Sequence, residues 1–323
     1  MSDMSEYGEK HRTTYGHFLN KGKWANEKLE KAHCESSYGY ISEKAKSEGS
    51  VMYLSSDDTV NEHKKPSSKA KKPMAGCDWH YSHLKGKQVY GHQVQVFMAS
   101  TGDVGVCCKT QLYDKTKSTK IENCVKMAES LEKSEVESYF LCDSWYTCSN
   151  VINAFKNKNY HTIGAVKTNR IIFPNDGLRI SIADYAARFL TQADFHLVTV
   201  NKQEYWIYRY DGEVNGLGRN IILLSYPKDA FGIADALRAF LSTNTDLSDK
   251  IILFHYSKRW SIEVFFKQIK LYFGFASYQI RSVLGIIRFL LLAAVFHFFC
   301  VTGLRSIFKF GDGVRHLRHA IFH

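Results

Sequence analysis

The sequence is poor in the features that mark secreted, membrane-spanning and disordered proteins. Its 323 residues include only 4 prolines, and its 8 cysteines contain no Cys-x-x-Cys pair. The amino terminus lacks the charged start, apolar run and cleavage site of a signal peptide. The most apolar stretch, Val283 to Leu304, is interrupted by Arg288 and His297, so its runs fall short of the roughly 20 residues of a membrane span. We therefore expect a folded cytoplasmic protein with reduced thiols, in which this stretch forms a buried core helix.

What the sequence has in excess is positive charge. It carries 43 Lys and Arg against 32 Asp and Glu, for a net charge of +11 and a pI near 9.1. Hydrophobic residues make up 45%, which is typical of a chain that buries a sizeable core. A strongly basic globular protein favours a polyanionic partner, and nucleic acid is the commonest one.

Residues His255 to Gly274, HYSKRWSIEVFFKQIKLYFG, have the periodicity of one amphipathic helix. At 100° per residue, five polar side chains fall within an arc of about 80°, namely Tyr256, Arg259, Glu263, Lys267 and Lys270. An apolar stripe is predicted on the opposite side, formed by Phe254, Ile262, Phe265 and Ile269. One carboxylate thus lies among cations on a single face. Such a face taken alone is usually solvated, and the rest of the sequence favours a functional role.

The spacing of four of these residues, Tyr256, Arg259, Glu263 and Lys270, reads Y-x2-R-x3-E-x6-K. It resembles the signature of one family of bacterial insertion-sequence transposases. These enzymes belong to the DDE class, in which two aspartates and a glutamate hold catalytic metal. The resemblance implies an α/β fold, a ribonuclease H-like mixed sheet flanked by helices, with a mostly β insertion before the glutamate helix. It also implies two aspartates upstream of Glu263.

Two upstream segments supply candidate aspartates. Asp57 and Asp58 follow the apolar run Val51 to Leu54, which predicts a short buried strand ending at Asp57, and Asp143 closes the run Tyr139 to Cys142. Strand carboxyl ends are where α/β sheets place ligands. We choose Asp57 over Asp58 because the family pattern places the catalytic aspartate first in a D-x-T triplet. Without the resemblance, Asp-Asp-Thr is more often a turn or a cap.

The segment between the two acidic sites predicts two strands and a helix. Gln88 to Ala99 and Val104 to Tyr113 read as strands joined by a hairpin turn at Thr101 to Asp103. Thr119 to Lys133 has helical spacing, and His161 to Val166 is a plausible further strand. The resulting order, three strands, a helix and a fourth strand, matches the ribonuclease H-like fold that the resemblance implies.

Four regions follow from these patterns. Residues 1–48 form a helical amino-terminal region, either a truncated DNA-binding module or a lead-in that only packs on the main domain. Residues 49–310 form the catalytic domain, and about 167–246 are a β-rich insertion, since their strand-like segments are broken by Asn, Gly and Asp turns. Residues 311–323 are a short basic tail.

Two further features near the acids have alternative explanations. The lysines of Asn61 to Pro73 either contact phosphates or belong to a solvated loop. Trp145, in the tetrapeptide DSWY that resembles the form of this motif in related transposases, either stacks on an unpaired base or, more commonly for such an aromatic, anchors the loop to the core.

The resemblance implies a metal-dependent chemistry on DNA. Asp57, Asp143 and Glu263 would hold two Mg²⁺ or Mn²⁺ ions, since hard cations prefer carboxylate oxygens. The DNA contacts would come from Tyr256, Arg259, Lys267, Lys270 and Trp145. The reaction would be hydrolysis at the transposon end, followed by attack of the freed 3′ hydroxyl on target DNA. The resemblance also implies a homodimer on DNA ends. It further implies a cytoplasmic protein that is associated with the nucleoid when bound to DNA and does not contact a membrane.

Two alternatives remain open. A ribonuclease H-like nuclease would use the same triad and cut without rejoining. An inactive or domesticated remnant would keep DNA binding alone, which the short amino-terminal region favours and the complete Y-R-E-K set opposes.

Overall fold

The computed structural model describes residues 11–71, 73–82, 85–175, 177–303 and 310–315. The helices are α1 (Arg12–Lys21), α2 (Asn26–Glu48), α3 (Lys120–Ser130), α4 (Ser149–Lys156), α5 (Ile182–Phe189), α6 (Asp249–Ser257), α7 (Trp260–Phe273) and α8 (Val283–Thr302). The strands are β1 (Met52–Glu62), β2 (Asp78–Ser82), β3 (Lys87–Thr101), β4 (Val104–Leu112), β5 (Ser138–Cys142), β6 (His161–Val166), β7 (Ile171–Ile172), β8 (Ile180–Ser181), β9 (His196–Val200), β10 (Gln203–Val214), β11 (Gly218–Pro227) and β12 (Arg238–Ser242). The architecture is therefore α/β, with mixed and mostly antiparallel strands flanked by helices. Of the predicted terminal regions, residues 1–10 and 316–323 lie outside the described ranges.

The chain divides into two compact units. The first unit comprises Met1–Glu48, Asp57–Lys120 and Ser261–His323. The second unit comprises Gly49–Ser56 and Ile121–Trp260. Strand β1 belongs to the second unit up to Ser56 and to the first unit from Asp57 onward.

In the first unit, β3 is the central strand. It pairs antiparallel with β2 and with β4, and it also neighbours β1. Nearly every residue of β3 is buried, as expected for a strand covered on both faces. Helices α2 and α8 contact β4 through imidazoles. His33 Nε2 lies 2.9 Å from the Cys107 carbonyl, and the Cys107 amide donates to His297 Nδ1 at 3.4 Å.

In the second unit, three strands are parallel. β1 pairs with β5, and β5 pairs with β6 across the α4 crossover. Antiparallel pairs then continue through β12, β11 and β10, to which β7 and β9 add. The core consists of fully buried aliphatic side chains such as Ile163, Ile221 and Leu223. Burial of such side chains stabilises a sheet by about 1.5 to 3 kcal/mol each.

Several sequence predictions are confirmed and others are wrong. The hairpin of β3 and β4, helix α3, and strand β6 are present close to their predicted bounds. Strand β1 does not end at Asp57, as predicted, but runs on to Glu62. Strands β2 and β12 had no counterpart among the predictions. Both are short, at five residues, and β12 carries no clear alternation of apolar and polar residues. In β2 the alternation is inverted, since Trp79 and Tyr81 are exposed and His80 is buried.

The predicted core helix at 283–304 is present as α8. Its buried residues include Ile286, Leu290 and Ala294. By length and composition alone α8 would suit a membrane, but a core helix meets the same criterion. Arg288, which interrupts the apolar run, is 5% exposed and donates to the carbonyls of Leu19 (3.0 Å) and Trp24 (3.1 Å). The buried charge thus connects α8 to the end of α1 and the segment that follows it.

Candidate active-site residues

The pairing of β1 with β5 ends at the two candidate aspartates. The last paired residues are Ser56 and Cys142, both in the second unit. The next residue along each strand is Asp57 in one case and Asp143 in the other. Because the pairing is parallel, both strands run in the same direction past Ser56 and Cys142. Each aspartate is therefore the first residue after the last paired position of its strand.

Asp143 organises the loop that follows β5. One of its carboxylate oxygens, Oδ1, accepts from the amides of Trp145 (2.8 Å) and Tyr146 (3.3 Å). The hydroxyl of Thr147 lies 2.9 Å from the Asp143 carbonyl oxygen and 2.7 Å from that of Ala165. This Asx turn fixes the backbone beside the carboxylate.

Trp145 does not anchor this loop to the core. Its side chain is 52% exposed, and Lys167 Nζ lies 5.8 Å from the centre of its ring. Tyr146, which is fully buried, anchors the loop instead. Within the DSWY tetrapeptide, the sequence did not reveal which of the two aromatic residues faces solvent.

Tyr256 and Arg259 lie together near Asp143 in the second unit. The Arg259 guanidinium is 5.8 Å from the centre of the Tyr256 ring, which packs against Phe240 at 4.6 Å. The pKa of Tyr256 is raised to about 12, chiefly because the hydroxyl is buried. The charge of Arg259 and a hydrogen bond with it oppose this rise, and the nearby Cys142 and Asp143 add to it. Tyr256 therefore keeps its proton at neutral pH and remains a hydrogen-bond donor.

A cavity of about 440 Å³ opens beside this tyrosine. Its lining includes Tyr256, Trp260, Phe240 and Arg238. Trp260 is 63% exposed, so the cavity has an aromatic rim in contact with solvent. One guanidinium and several rings suit a planar or anionic group.

A buried network holds α6 in place. The Tyr53 hydroxyl is hydrogen-bonded to His255 Nδ1 at 2.7 Å, and the His255 ring stacks on Tyr139 at 4.5 Å. Tyr139 donates in turn to Glu137 at 2.6 Å and accepts from the Asn244 amide at 3.0 Å. His255 is next to Tyr256 in the chain, so this network fixes the helix that carries Tyr256.

In the first unit, neighbouring residues of β1 make contacts on opposite faces of the strand. Asp58 accepts from Lys120 Nζ at 2.7 Å and from the Gln93 side-chain amide. Thr59 accepts from Lys270 Nζ at 2.6 Å, and Asn61 donates to the Phe275 carbonyl at 2.8 Å. Since side chains alternate along a strand, Asp57 shares the face of Thr59 and Asn61. This is the face toward α7 and the residues after it.

Helix α7 carries Glu263, Lys267 and Lys270. Its apolar stripe is buried as predicted, with Ile262, Phe265 and Ile269 at 0 to 1% exposure. Glu263 and Lys270 are seven residues apart, so they share one helix face about 10.5 Å apart along the axis. Burial lowers the pKa of Lys270. Lys267 is exposed.

The five polar residues do not share one helix. The predicted helix is interrupted at Lys258 and Arg259, where the amides bond to the carbonyls three residues back at 3.0 Å each. Neither Gly nor Pro marks this break. Its physical cause is that α6 buries Ile252 and Leu253 in the core of the second unit, whereas α7 buries its stripe in the first unit. Phe254, predicted in the buried stripe, is 41% exposed.

Among the described residues, no group of three or more His, Cys, Asp or Glu side chains is arranged to hold a metal ion. The donor chemistry still separates the candidates. Asp58 forms an ion pair with Lys120 and accepts a hydrogen bond from the uncharged Gln93 amide. Asp57 and Glu263 also carry the carboxylate oxygens that Mg²⁺ and Mn²⁺ prefer, and Asp57 Oδ1 accepts from the Asp58 amide at 2.8 Å. Asp57 and Glu263 belong to the first unit and Asp143 to the second.

Three contacting residues, Lys120, Gln93 and His255, had no sequence signal, and Thr59 was known only as the last residue of the D-x-T triplet. Lys120, Gln93 and Thr59 contact the predicted residues only through the fold, at separations of 35 to 211 residues. His255 lies in the predicted helix, but its buried hydrogen bond to Tyr53 depends on a residue 202 positions away.

Comparison with known proteins agrees with the resemblance at the level of the domain. A search of curated proteins finds no match. The family model of the transposase DDE domain matches residues 55–299, which include all eight predicted site residues. The match spans most of the chain, from the middle of β1 to near the end of α8. The chain therefore belongs to the transposase DDE domain family.

Proposed function

We propose that this protein is a DNA transposase of the Y-R-E-K group that cuts at transposon ends and joins the freed 3′ hydroxyl to target DNA. Membership of the transposase DDE domain family makes it a transposase that acts on DNA. The observation that supports the finer proposal is that Asp57 and Asp58 lie on opposite faces of β1. Asp58 is engaged by Lys120 and Gln93, while Asp57 faces the side of α7.

The proposed catalytic carboxylates are Asp57, Asp143 and Glu263. Support for Asp143 comes from its position directly after Cys142, the partner of Ser56, which precedes Asp57. Support for Glu263 comes from α7, where it shares a face with Lys270, and Lys270 contacts Thr59 two residues beyond Asp57. Bound together, the three would hold two Mg²⁺ or Mn²⁺ ions. When bound, such ions would lower the pKa of the attacking water and stabilise the charge on the leaving oxygen.

The cations and rings around these acids would bind the DNA. Arg259 suits a phosphate that accepts two parallel hydrogen bonds, and Lys270 suits one as a point charge. The protonated hydroxyl of Tyr256 donates a third hydrogen bond. Lys267 and Trp145, which are both exposed, are the proposed contacts to a further phosphate and to an unpaired base.

The finer architecture belongs to the same proposal. We assign residues 49–310 to a ribonuclease H-like catalytic domain, with strands β7 to β12 as the β-rich insertion of residues 167–246. Residues 1–48 form the helical amino-terminal region, and the short basic tail is residues 311–323. Two copies would bridge a pair of DNA ends.

The test is metal-dependent cleavage of a DNA duplex that carries the element's own terminal sequence. Asp57→Asn, Asp143→Asn and Glu263→Gln should each lower the cleavage rate by a factor of about 10³, because each removes a carboxylate proposed to hold the metal ions that stabilise the transition state. Their affinity for the duplex should stay within a few-fold of that of the wild type.

Asp58→Asn is the matched control. It should lower thermal stability through loss of its contact with Lys120, yet keep cleavage within a few-fold of the wild-type rate. Full activity of Glu263→Gln, or loss of activity in Asp58→Asn with an active Asp57→Asn, contradicts the proposal. Cleavage without strand-transfer products would instead indicate a nuclease.

A further inference from the structure

An aromatic surface lies on β2, the edge strand of the first unit's sheet in the described part of the chain. Trp79 is 47% exposed and Tyr81 is 49% exposed, while His80 between them is buried. Trp79 pairs with Tyr90 across the ladder, and their rings meet edge to face at 5.7 Å. Two large rings therefore project from one face of the strand, about 6.6 Å apart along it. They do not belong to the core.

This surface is surrounded by positive charge. Lys65 Nζ lies 5.5 Å from the centre of the Trp79 ring. Between residues 62 and 90 the sequence has seven lysines against one Glu and one Asp. Both acids are already paired, Glu62 with Lys85 and Asp78 with Lys115. The exposed lysines of the loop after β1 include Lys64, Lys69 and Lys71.

The aromatic surface shares a face of the sheet with Asp57. The His63 amide donates to the Tyr90 carbonyl at 2.8 Å, and the His63 ring contacts the ring of His92 at 5.1 Å. Tyr90 and His92 are two residues apart, so their side chains point to one side of β3. Asp57 in β1 and His63, which directly follows β1, are six residues apart and therefore also share one side. Trp79 continues this side at the edge of the sheet.

We propose that Trp79, Tyr81, Tyr90 and Lys65, which we call the aromatic edge, bind an unpaired DNA strand. Bases stack on exposed rings whatever their sequence, and lysines beside the rings bind the phosphates between them. A duplex offers phosphates but no free base faces. Lysines alone would suffice to protect an edge strand from pairing with another chain, so that role does not account for the exposed rings. The choice of DNA as ligand rests on the proposed function, but the aromatic edge does not use the acidic triad.

The test is binding of the full-length protein to fluorescein-labelled oligothymidine, measured by anisotropy in EDTA. Trp79→Ala and Tyr81→Ala should each weaken binding by about 10-fold, the effect of losing one base stack. Trp79→Phe should restore most of the affinity. Phe189→Ala is the control, because Phe189 is 54% exposed on α5 beside a balanced Asp184–Arg188 pair. It should bind like the wild type.

A labelled duplex of the same length separates stacking from charge. Both alanine variants should bind it within about 3-fold of the wild type, since phosphate contacts remain. Unchanged binding of oligothymidine by both variants, or equal losses on single strand and duplex, would overturn the inference. Tyr81→Ala provides the answer if Trp79→Ala does not fold. Weaker binding of oligothymidine by these variants, together with full cleavage activity of Glu263→Gln, would contradict the proposed triad and still support the aromatic edge.

Discussion

The two units differ in how they use histidine. In the first unit burial lowers the pKa of five described histidines, His33, His63, His80, His92 and His297. In the second unit the pKa of one described histidine, His255, is lowered by burial. The second unit fills its core with Ile and Leu from neighbouring strands. The comparison teaches that the first unit adds several buried neutral imidazoles to its apolar packing, whereas the described core of the second unit contains few of them.

The Cys107 peptide shows what two of these imidazoles contact in the first unit. Its carbonyl lies 2.9 Å from His33 Nε2 and its amide donates to His297 Nδ1 at 3.4 Å. Complete burial, and to a lesser extent the neighbouring His33, lower the pKa of His297 to about 3. The ring also packs edge to face on Phe265 of α7 at 4.8 Å. Protonation of His297 would remove the acceptor of the Cys107 amide.

The direction of the pH effect follows from the lowered pKa values. The unfolded chain binds protons on these histidines below about pH 6.5, while the folded chain does not until lower pH. Their contribution to stability is therefore fully present above about pH 6.5. It is lost as the pH falls from there toward the folded pKa, because each tenfold rise in proton concentration over that range favours the unfolded chain by about 1.4 kcal/mol per histidine.

The largest expected effect is that the first unit opens before the second unit as the pH falls. Between pH 7 and pH 5, amides of β3, β4 and α8 should lose hydrogen-exchange protection before those of β10, β11 and β12, because five histidines with lowered pKa values add their effects in the first unit. Exchange followed by mass spectrometry at several pH values checks this. Earlier opening of β10 to β12 would break the comparison.

A single substitution tests the role of one of these histidines. His297→Phe should flatten the pH dependence of exchange in β4 and α8 and cost about 1 to 3 kcal/mol at pH 7, since the Cys107 amide loses its acceptor. The control is His161→Gln, which replaces an exposed histidine of the second unit and should change neither quantity. A pH profile that His297→Phe leaves unchanged would show that this histidine does not cause the acid opening.

The smallest effect concerns the second unit. His255→Phe should cost about 1 to 2 kcal/mol, because the buried Tyr53 hydroxyl loses its partner. Adding Tyr53→Phe should recover most of that loss by removing the unpaired hydroxyl. Thermal unfolding of the two variants beside the wild type measures both changes. Additive losses in the double variant would mean that the two side chains do not act as a pair.

Periodicity predicted the elements that have strong local patterns. The hairpin of β3 and β4 and the helix α8 follow from alternation and from a long apolar run, which depend on residues close in sequence. The D-x-T triplet favoured Asp57, a choice that stays a prediction, and the contacts of Asp58 with Lys120 and Gln93 were not foreseeable from the sequence. Such partners are set by tertiary contacts.

The break between α6 and α7 shows where local reasoning failed. The run from His255 to Gly274 contains no helix breaker before its end, so its periodicity predicted one helix. The interruption at Lys258 and Arg259 arises because the two halves bury their apolar residues in different units. Propensity is a weak guide when tertiary burial differs so sharply between neighbouring segments. That the predicted site residues act together in catalysis stays a prediction.

The alternation of β1 has a genetic consequence. Asp57 and Asp58 are chemically alike, and only their place in the strand assigns one to Lys120 and the other to the side of α7. Loss of one codon among those for Met52 to Ser56 would shift the pairing with β5 and exchange the two sides. The reading frame and both acids would survive. An in-frame deletion at this point should therefore act as a null allele, whereas many conservative point changes nearby would not.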